Sequence, residues 1–471
     1  MSTSHTSRAV VLGGSLAGLL AARVLADHYA EVLVVDRDDV AAAGAEPRRG
    51  VPQGQHPHAV LLGGALAIER LLAGWTDALA ARGALCGDIA GDAEWYCSGG
   101  PLRRPRRGLT AIVASRPLIE DEVRRRVVAL PRVTLRGGVD VAGLVASEDG
   151  RRVIGARLVD RAPGSAATAV PADLVVDATG RGSRTPAWLA ELGHAGPPEE
   201  RVDLDLTYVT RTFRGGPDLL GGPVVSVVGA RPADSHSGVA LAREGGQWIV
   251  ALIGHRGTAA PTDLEGFRAY ADALPSRRIG RLVRTAEPLG DARVFRFPAS
   301  RWRHYERRGL PAGLVVLGDA VCSFDPAFGQ GMSSAAQQAE VLQRVLADGA
   351  DGAALGRRVA AGAARVISVP WTLTVGVARR FPDLPPKPLP ARVLDRYLDR
   401  LLRVATVDDE GTLAYLKVVN LVAEPPSLLA PRIAWRVLSR PAPASGGPGM
   451  PGDLPPAAVA DLPSAHGRLA R

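Results

Sequence analysis

The chain has 471 residues, 46% hydrophobic and 22% charged, the make-up of an ordinary soluble globular protein with room for two or three domains. All but two of the 57 basic residues are arginine, only Lys387 and Lys417 being lysine, so the net charge of +9 reflects GC-rich coding more than a basic binding patch, and nucleic acid is not expected as a partner. Cys86, Cys97 and Cys322 are scattered without disulfide or zinc spacing, which excludes a cystine framework and a metal centre and points to a reducing cytoplasm.

Arg8 to Leu12 reads as a short buried strand, Leu16 to Asp27 as an Ala/Leu-rich helix and Ala30 to Asp36 as a second strand. The uncharged run Ala9 to Ala22 therefore belongs to a strand and helix, interrupted by Gly13, Gly14 and Gly18, and no transmembrane segment is expected. A Gly/Pro-rich stretch from Gly44 to Pro57 crosses an edge, and helices follow at Ala59–Leu72 and Trp75–Ala81. Ala93 to Ser115 is predicted as a hairpin, with Arg103-Arg104-Pro105-Arg106-Arg107 as its solvated turn. Pro117 opens a helix running to about Ala129, a position that proline tolerates.

Short alternating segments from Val133 lead to the buried strand Leu174-Val175-Val176, and the runs Leu204–Phe213, Pro223–Val228 and Gly238–Ile253 suggest an antiparallel sheet. Leu314 to Leu317 is another buried strand, followed by a helix at Ser333–Leu346. Residues 350–440 are mostly helical around a proline run from Pro382 to Pro390, and the Pro/Gly/Ala/Ser-rich tail is expected to be disordered.

The pattern predicts an α/β fold: a Rossmann-like FAD-binding domain, an interleaved antiparallel-sheet substrate domain and a helical C-terminal region. The expected divisions are FAD-binding at 1–92, 116–200 and 291–346, a substrate-sheet hairpin at 93–115, the substrate sheet at 201–290, the helical region at 347–440 and the tail at 441–471.

Three separated segments point to a dinucleotide. Gly13-Gly14-Ser15-Leu16-Ala17-Gly18 lies between strand and helix, where glycines permit a tight turn and close packing and the helix N-terminus attracts a pyrophosphate. Ser15 stands at the second glycine of the usual fingerprint, and Asp36 ends the next strand, where an acid binds ribose hydroxyls. The second segment, Leu174 to Gly180, runs a buried strand into a small-residue turn. The third, Gly318-Asp319-Ala320 through Asp325-Pro326 and Gly329-Gln330-Gly331-Met332, sets a carboxylate at a strand end and a helix N-terminus where a flavin ring would lie.

In this order the segments resemble the aromatic-hydroxylase branch of the glutathione-reductase-type flavoproteins over residues 8–345. Within that branch, Arg49-Gly50-Val51-Pro52-Gln53 with His56 and His58, Asp177 to Ser183, and Gly318 to Met332 look most like the polyether-precursor epoxidases of the lasalocid and monensin type. The resemblance implies FAD, with Asp36 and Arg37 at the adenosine and Val139 at the adenine. It further implies Arg116 at the phosphates or ribityl chain, Asp319 at the ribityl, and Gly331 and Met332 at the pyrimidine. Thr179 and Cys322 depart from the wider hydroxylase pattern, and NAD(P)H is implied as the electron source, directly or through a separate flavin reductase.

The activity so implied is monooxygenation, transferring one oxygen of dioxygen through a flavin C4a-hydroperoxide to a hydrophobic polyketide- or terpene-like metabolite. Epoxidation needs little beyond placement, whereas phenol hydroxylation also wants a base. Proximity to flavin and substrate makes His56, His58 and Pro326 the catalytic candidates, with loop-fixing hydrogen bonds as the alternative for the two histidines. Trp95, Tyr96, Tyr208 and Phe213 fit either an apolar pocket or the core. Halogenation is excluded: the flavin halogenases, which have a similar fold, use a lysine near the N-terminal half and a Trp-x-Trp-x-Ile-Pro segment, whereas the first lysine here is Lys387 and Trp248-Ile249 lacks the rest of the motif. A reductase or dehydrogenase of isoprenoid-like substrates and a non-catalytic flavin-binding protein remain as other readings.

Overall fold

The computed structural model describes residues 7–40, 44–97, 100–231, 235–255, 257–379 and 389–443. A five-stranded parallel sheet forms the first layer, in the order Leu314–Val316, Leu174–Asp177, Arg8–Leu12, Glu31–Val35, Val133–Arg136. Its strands are apolar runs because both faces are covered. Along Arg8–Leu12, Ala9 and Val11 pack with the helices Leu16–Leu25, Arg116–Val128 and Gly331–Ala347. Val10 and Leu12 face the other way, onto the antiparallel strands Val139–Ala146 and Val153–Asp160. The helix at Arg116 starts where expected, with Pro117 in its first turn and the Ser115 hydroxyl accepting from the Leu118 amide.

An eight-stranded sheet forms the second layer: Cys322–Ser323, Glu287–Arg303, Glu199–Arg214, Gln247–His255, Ser237–Arg243, Val225–Val228, Ala93–Cys97, Gly100–Pro101. Helices Leu264–Asp272 and Arg277–Thr285 cover one face, against Phe213, Trp248 and Val250. The sheet is antiparallel except that Val225–Val228 and Ala93–Cys97 run parallel. The predicted run Gly238–Ile253 is two strands, because Gly245 and Gly246 both take positive φ and reverse the chain. The 17-residue strand Glu287–Arg303 carries no clear strand pattern in the sequence, since Pro288, Gly290 and Pro298 interrupt it, and its pairing slips register between Leu289 and Arg293, where Gly290 takes a positive φ.

The predicted Ala93–Ser115 hairpin is corrected. Ala93–Cys97 turns back only as far as the short strand Gly100–Pro101 and has Val225–Val228 on its other side, while Thr110–Val113 pairs with Leu85–Asp88. The arginine loop between them is anchored rather than freely solvated. The Arg104 guanidinium donates to the Gly91 carbonyl, Arg106 pairs with Asp92, and Arg103 pairs with Asp409 at 2.9 Å.

Helices Gly352–Ala378, Leu389–Val404, Asp409–Val419 and Pro431–Ser439 complete the described chain. Most of the proline run (residues 380–388) and the tail from 444 lie outside the described residues. Gly352–Ala378 is the one described helix long and apolar enough to cross a membrane, but its Ala363, Ile367, Trp371 and Val375 are buried in the core.

Candidate active site

A cleft of about 710 Å³ lies between the two sheets, walled by all three segments. Gly13, at φ +103°, closes the first turn; a Cβ there would stand 2.5 Å from the Ala178 carbonyl oxygen, so the first and second segments can meet only at glycine. The Gly14 amide donates to Asp36 at 2.7 Å, and the Asp38 amide donates to the other oxygen of that carboxylate at 2.9 Å. Gly14 and Gly18 shape the turn from behind, while Gly13, Ser15, Asp36, Arg37 and Val139 line the cleft. Asp177, fully buried, faces away from it and fixes the second turn by accepting from Thr179, Ser183 and Thr185 at 2.5–2.8 Å.

Arg49 is exposed and does not line the cleft; its neighbour Arg48 does. Arg48 contacts Ser15 Oγ at 2.5 Å, Asp38 and Glu120 at 3.2 Å and Asp36 at 3.4 Å. Arg116 reaches Glu120 from the other side at 2.8 Å. Burial would raise the Glu120 carboxyl, but Arg116 and Arg48 more than offset it and hold it below its ordinary value. Neither Arg48 nor Glu120 stands out in the sequence, since one is half of an arginine pair and the other reads as a helix-surface acid.

Both histidines line the cleft and also hold their loop. His58 Nδ1 lies 2.8 Å from the His56 carbonyl, which can only accept, so Nδ1 carries the proton and Nε2 is bare toward Arg116, 3.5 Å away. His56 Nδ1 meets the Thr210 hydroxyl at 2.7 Å, and its ring lies 5.4 Å from that of Phe295. Burial lowers His56 to about 4. Burial, then Arg116, lowers His58 to about 3, so both are neutral at pH 7.

At the far end the cleft is lined by Gly180, Arg181, Asp319, Pro326, Gly329, Gln330, Gly331 and Met332. Asp319 follows the strand Leu314–Val316 and lies beside Gly331, where a Cβ would sit 3.8 Å from its carboxyl. Burial raises the Asp319 carboxyl, while Arg116 and Arg181 pull the other way.

A second cavity of about 770 Å³ adjoins the first, and Pro57, Val239, Asp325, Pro326, Ala327 and Gly329 line both. Its walls are mainly apolar: Trp95, Tyr96, Ile112 and Ile253 from the sheets, and Trp371, Leu398 and Val418 from the C-terminal helices. The helical region is thus a cap over this cavity. Of the aromatic candidates, Phe213 is core, Tyr208 faces the cleft, and Trp95 and Tyr96 face the second cavity. On the shared wall, the Tyr208 hydroxyl donates to Asp325 Oδ1 at 2.7 Å, and the Ala327 amide donates to the same oxygen at 2.9 Å. Burial raises both Tyr208 and Asp325.

The residues present fit FAD. The helices at Leu16 and Gly331 both open onto the cleft without a side-chain cap, leaving first-turn amides for an anion and a ring edge. Arg48 Nε and Gln330 Oε1 are buried without partners in its wall. Asp36 at one end and Asp319 at the other suit two sets of hydroxyls.

No family model matches the chain. It is 38% identical over 352 residues to Protein Rv3254 of Mycobacterium tuberculosis, covering 72% of each. Among solved structures it is similar to pqsL, a probable FAD-dependent monooxygenase from Pseudomonas aeruginosa, with a TM-score of 0.61 at 16% identity over 79% of this chain and 97% of that one. It is likewise similar to p-nitrophenol 4-monooxygenase PnpA from Pseudomonas putida (0.61, 18%, 88% and 98%) and to the flavin-dependent brominase Bmp2 (0.58, 14%, 92% and 98%). These likenesses show the fold.

Proposed function

The chain belongs to the family of Protein Rv3254 of Mycobacterium tuberculosis, and from that premise, its fold and its two cavities we propose that it is an FAD-dependent monooxygenase. Its reaction is the insertion of one oxygen atom, by epoxidation or hydroxylation, into a hydrophobic polyketide- or terpene-like metabolite. The observation that carries this reading is the shared wall: a cleft built for a dinucleotide meets an apolar cavity at Pro57, Val239 and Asp325–Ala327.

FAD, bound and reduced, supplies the electrons that activate dioxygen. The uncapped first-turn amides of the helix Leu16–Leu25 would hold its pyrophosphate, Asp36 a ribose, Asp319 the ribityl chain, and Gly331 and Met332 the pyrimidine edge. The apolar walls exclude water and hold the acceptor against the shared wall. His56 and His58, neutral and weakly basic, orient the Pro57 loop and add no positive charge of their own to the cleft. Where the acceptor is a phenol, Asp325 is the proton acceptor in place, its carboxyl raised by burial toward useful basicity. Electrons come from NAD(P)H, directly or through a separate flavin reductase, in the cytoplasm.

Purified protein should absorb near about 370 and 450 nm from bound flavin. Reoxidation of the reduced protein in air, followed by stopped flow under oxygen-18-labelled dioxygen, should leave one labelled oxygen in an added alkene or phenol. Bound flavin with no label in any product would shift the reading to a reductase or dehydrogenase. A colourless protein that cannot be reconstituted with FAD would remove it.

A further inference from the structure

We propose that the protein docks on an anionic lipid surface through the outer faces of the helices Leu389–Val404 and Pro431–Ser439, and that the apolar cavity loads its substrate from that surface. The docking stands by itself; the loading step rests on the proposed monooxygenase reading.

Of the eleven large hydrophobic residues exposed among the described residues, eight fall between 389 and 438. In Pro431–Ser439, Val437 is buried and Ile433 partly so, yet Trp435 (69% exposed) and Leu438 (66%) stand three residues apart on the opposite, outer side. A helix apolar on both sides is normally covered on both. Leu389 and Val393, one turn apart, repeat the arrangement on the neighbouring helix. The two helices are tied together, with Arg400 of one donating to the Val437 and Leu438 carbonyls of the other.

The patch coincides with the mouth of the cavity. Leu394 and Leu429 line the cavity and are also exposed, so its opening lies between the helix Leu389–Val404 and the turn Pro425–Leu429 that leads into Pro431–Ser439. A soluble enzyme for an apolar substrate gains nothing from leaving that rim wet. An enzyme that draws the substrate from a bilayer needs such a rim at the water–lipid boundary.

Charge selects the lipid. The chain carries +9, and the stretch from Pro431 to Arg440 holds Arg432, Arg436 and Arg440 with no acid of its own. Arg432 pairs with Glu410, and Arg436 and Arg440 share Asp408, so three arginines meet two carboxylates and one positive charge is left over. On the other helix Arg392 and Arg396 flank Val393 with a single acid, Asp395, between them. Exposed tryptophan beside arginines that can extend along the apolar surface suits an interface with anionic headgroups. A second copy of the chain seated here would close the mouth marked by Leu394 and Leu429, which disfavours a dimer surface.

The test is flotation of the full-length protein with vesicles of equimolar phosphatidylglycerol and phosphatidylcholine, beside vesicles of phosphatidylcholine alone. The protein should float with the anionic vesicles, with a blue shift in tryptophan emission, and release at high salt. A Trp435→Ser, Leu438→Ser double variant changes only exposed side chains; it should lose binding by about tenfold or more while keeping its thermal midpoint. Failure of the native protein to float, or undiminished flotation of the variant, overturns the proposal. So does a dimer in light scattering that the variant dissociates. Flotation by a protein that takes up no flavin would leave the docking standing and remove only the monooxygenase reading.

Discussion

Tyr208 and Asp325, 117 positions apart in the chain, meet at 2.7 Å on the wall between the two cavities, the phenol donating to the carboxylate. The pair joins the large sheet to the loop ahead of the helix Gly331–Ala347, so it fixes where the two cavities touch. The donor also stabilises the ionised form of an acid that burial pushes upward.

Tyr208→Phe removes that donor, so Asp325 should titrate at still higher pH. The acid limb of the kcat profile for a phenolic substrate should therefore move upward in pH. Asp325→Asn, which cannot titrate, should lower kcat on that substrate by about 100-fold and leave alkene turnover much less affected. Paired pH–rate profiles decide this, and equal losses on both substrates would assign the pair to placement alone.

The two depressed histidines make stability fall in acid. The unfolded chain takes up protons near the ordinary histidine value, whereas native His56 and His58 remain neutral down to about 4 and about 3. Stability is thus full above the unfolded value and declines as pH drops, by on the order of 2 kcal/mol per histidine at pH 5. Urea unfolding at pH 7.5 and pH 5 should show the decline, and His56→Gln should remove about half of it.

Arg48→Ala takes the guanidinium from Asp36 and Asp38 and leaves Glu120 with Arg116 alone in a buried wall, and should cost about 3–5 kcal/mol and weaken FAD retention. Arg49→Ala, at an exposed position, should stay within about 0.5 kcal/mol of the native protein. Chemical unfolding and flavin content of the two variants, side by side, test which arginine belongs to the site.

Gly13→Ala places a Cβ 2.5 Å from the Ala178 carbonyl at a φ that side chains avoid, a clash of backbone with side chain that nothing flexible relieves. The variant should be destabilised by at least about 2 kcal/mol and purify without flavin. Retention of a normal flavin spectrum would count against Gly13 as the point where the first two segments meet.

Much of the nucleotide half could be read from the sequence because its signals are local. Strands covered on both faces are continuous apolar runs, and the turn at Gly13 needs glycine whatever surrounds it. The rest depended on distant pairing. Thr110–Val113 and Ala93–Cys97 look like the arms of a hairpin, and only the anchoring of the intervening arginines to Gly91 and Asp92 sends them to different partners. Adjacent arginines 48 and 49 carry no mark of which one turns inward. Trp435 and Leu438 fit the apolar pattern of a packed helix, and only exposure separates them from Val437.

The central strand Arg8–Leu12 is made well before the segments it pairs with: the Arg8 amide waits for Asp173, 165 residues later, and the strand that completes the sheet begins only at Leu314. At ribosomal speeds of about 5–20 residues per second, Arg8 is without that partner for roughly 10–30 s. For that interval a sticky apolar edge is present on the nascent chain, with no pocket yet formed for a cofactor to stabilise. Holding factors at the ribosome, rather than flavin supply, should therefore govern how much of this protein a cell recovers in folded form.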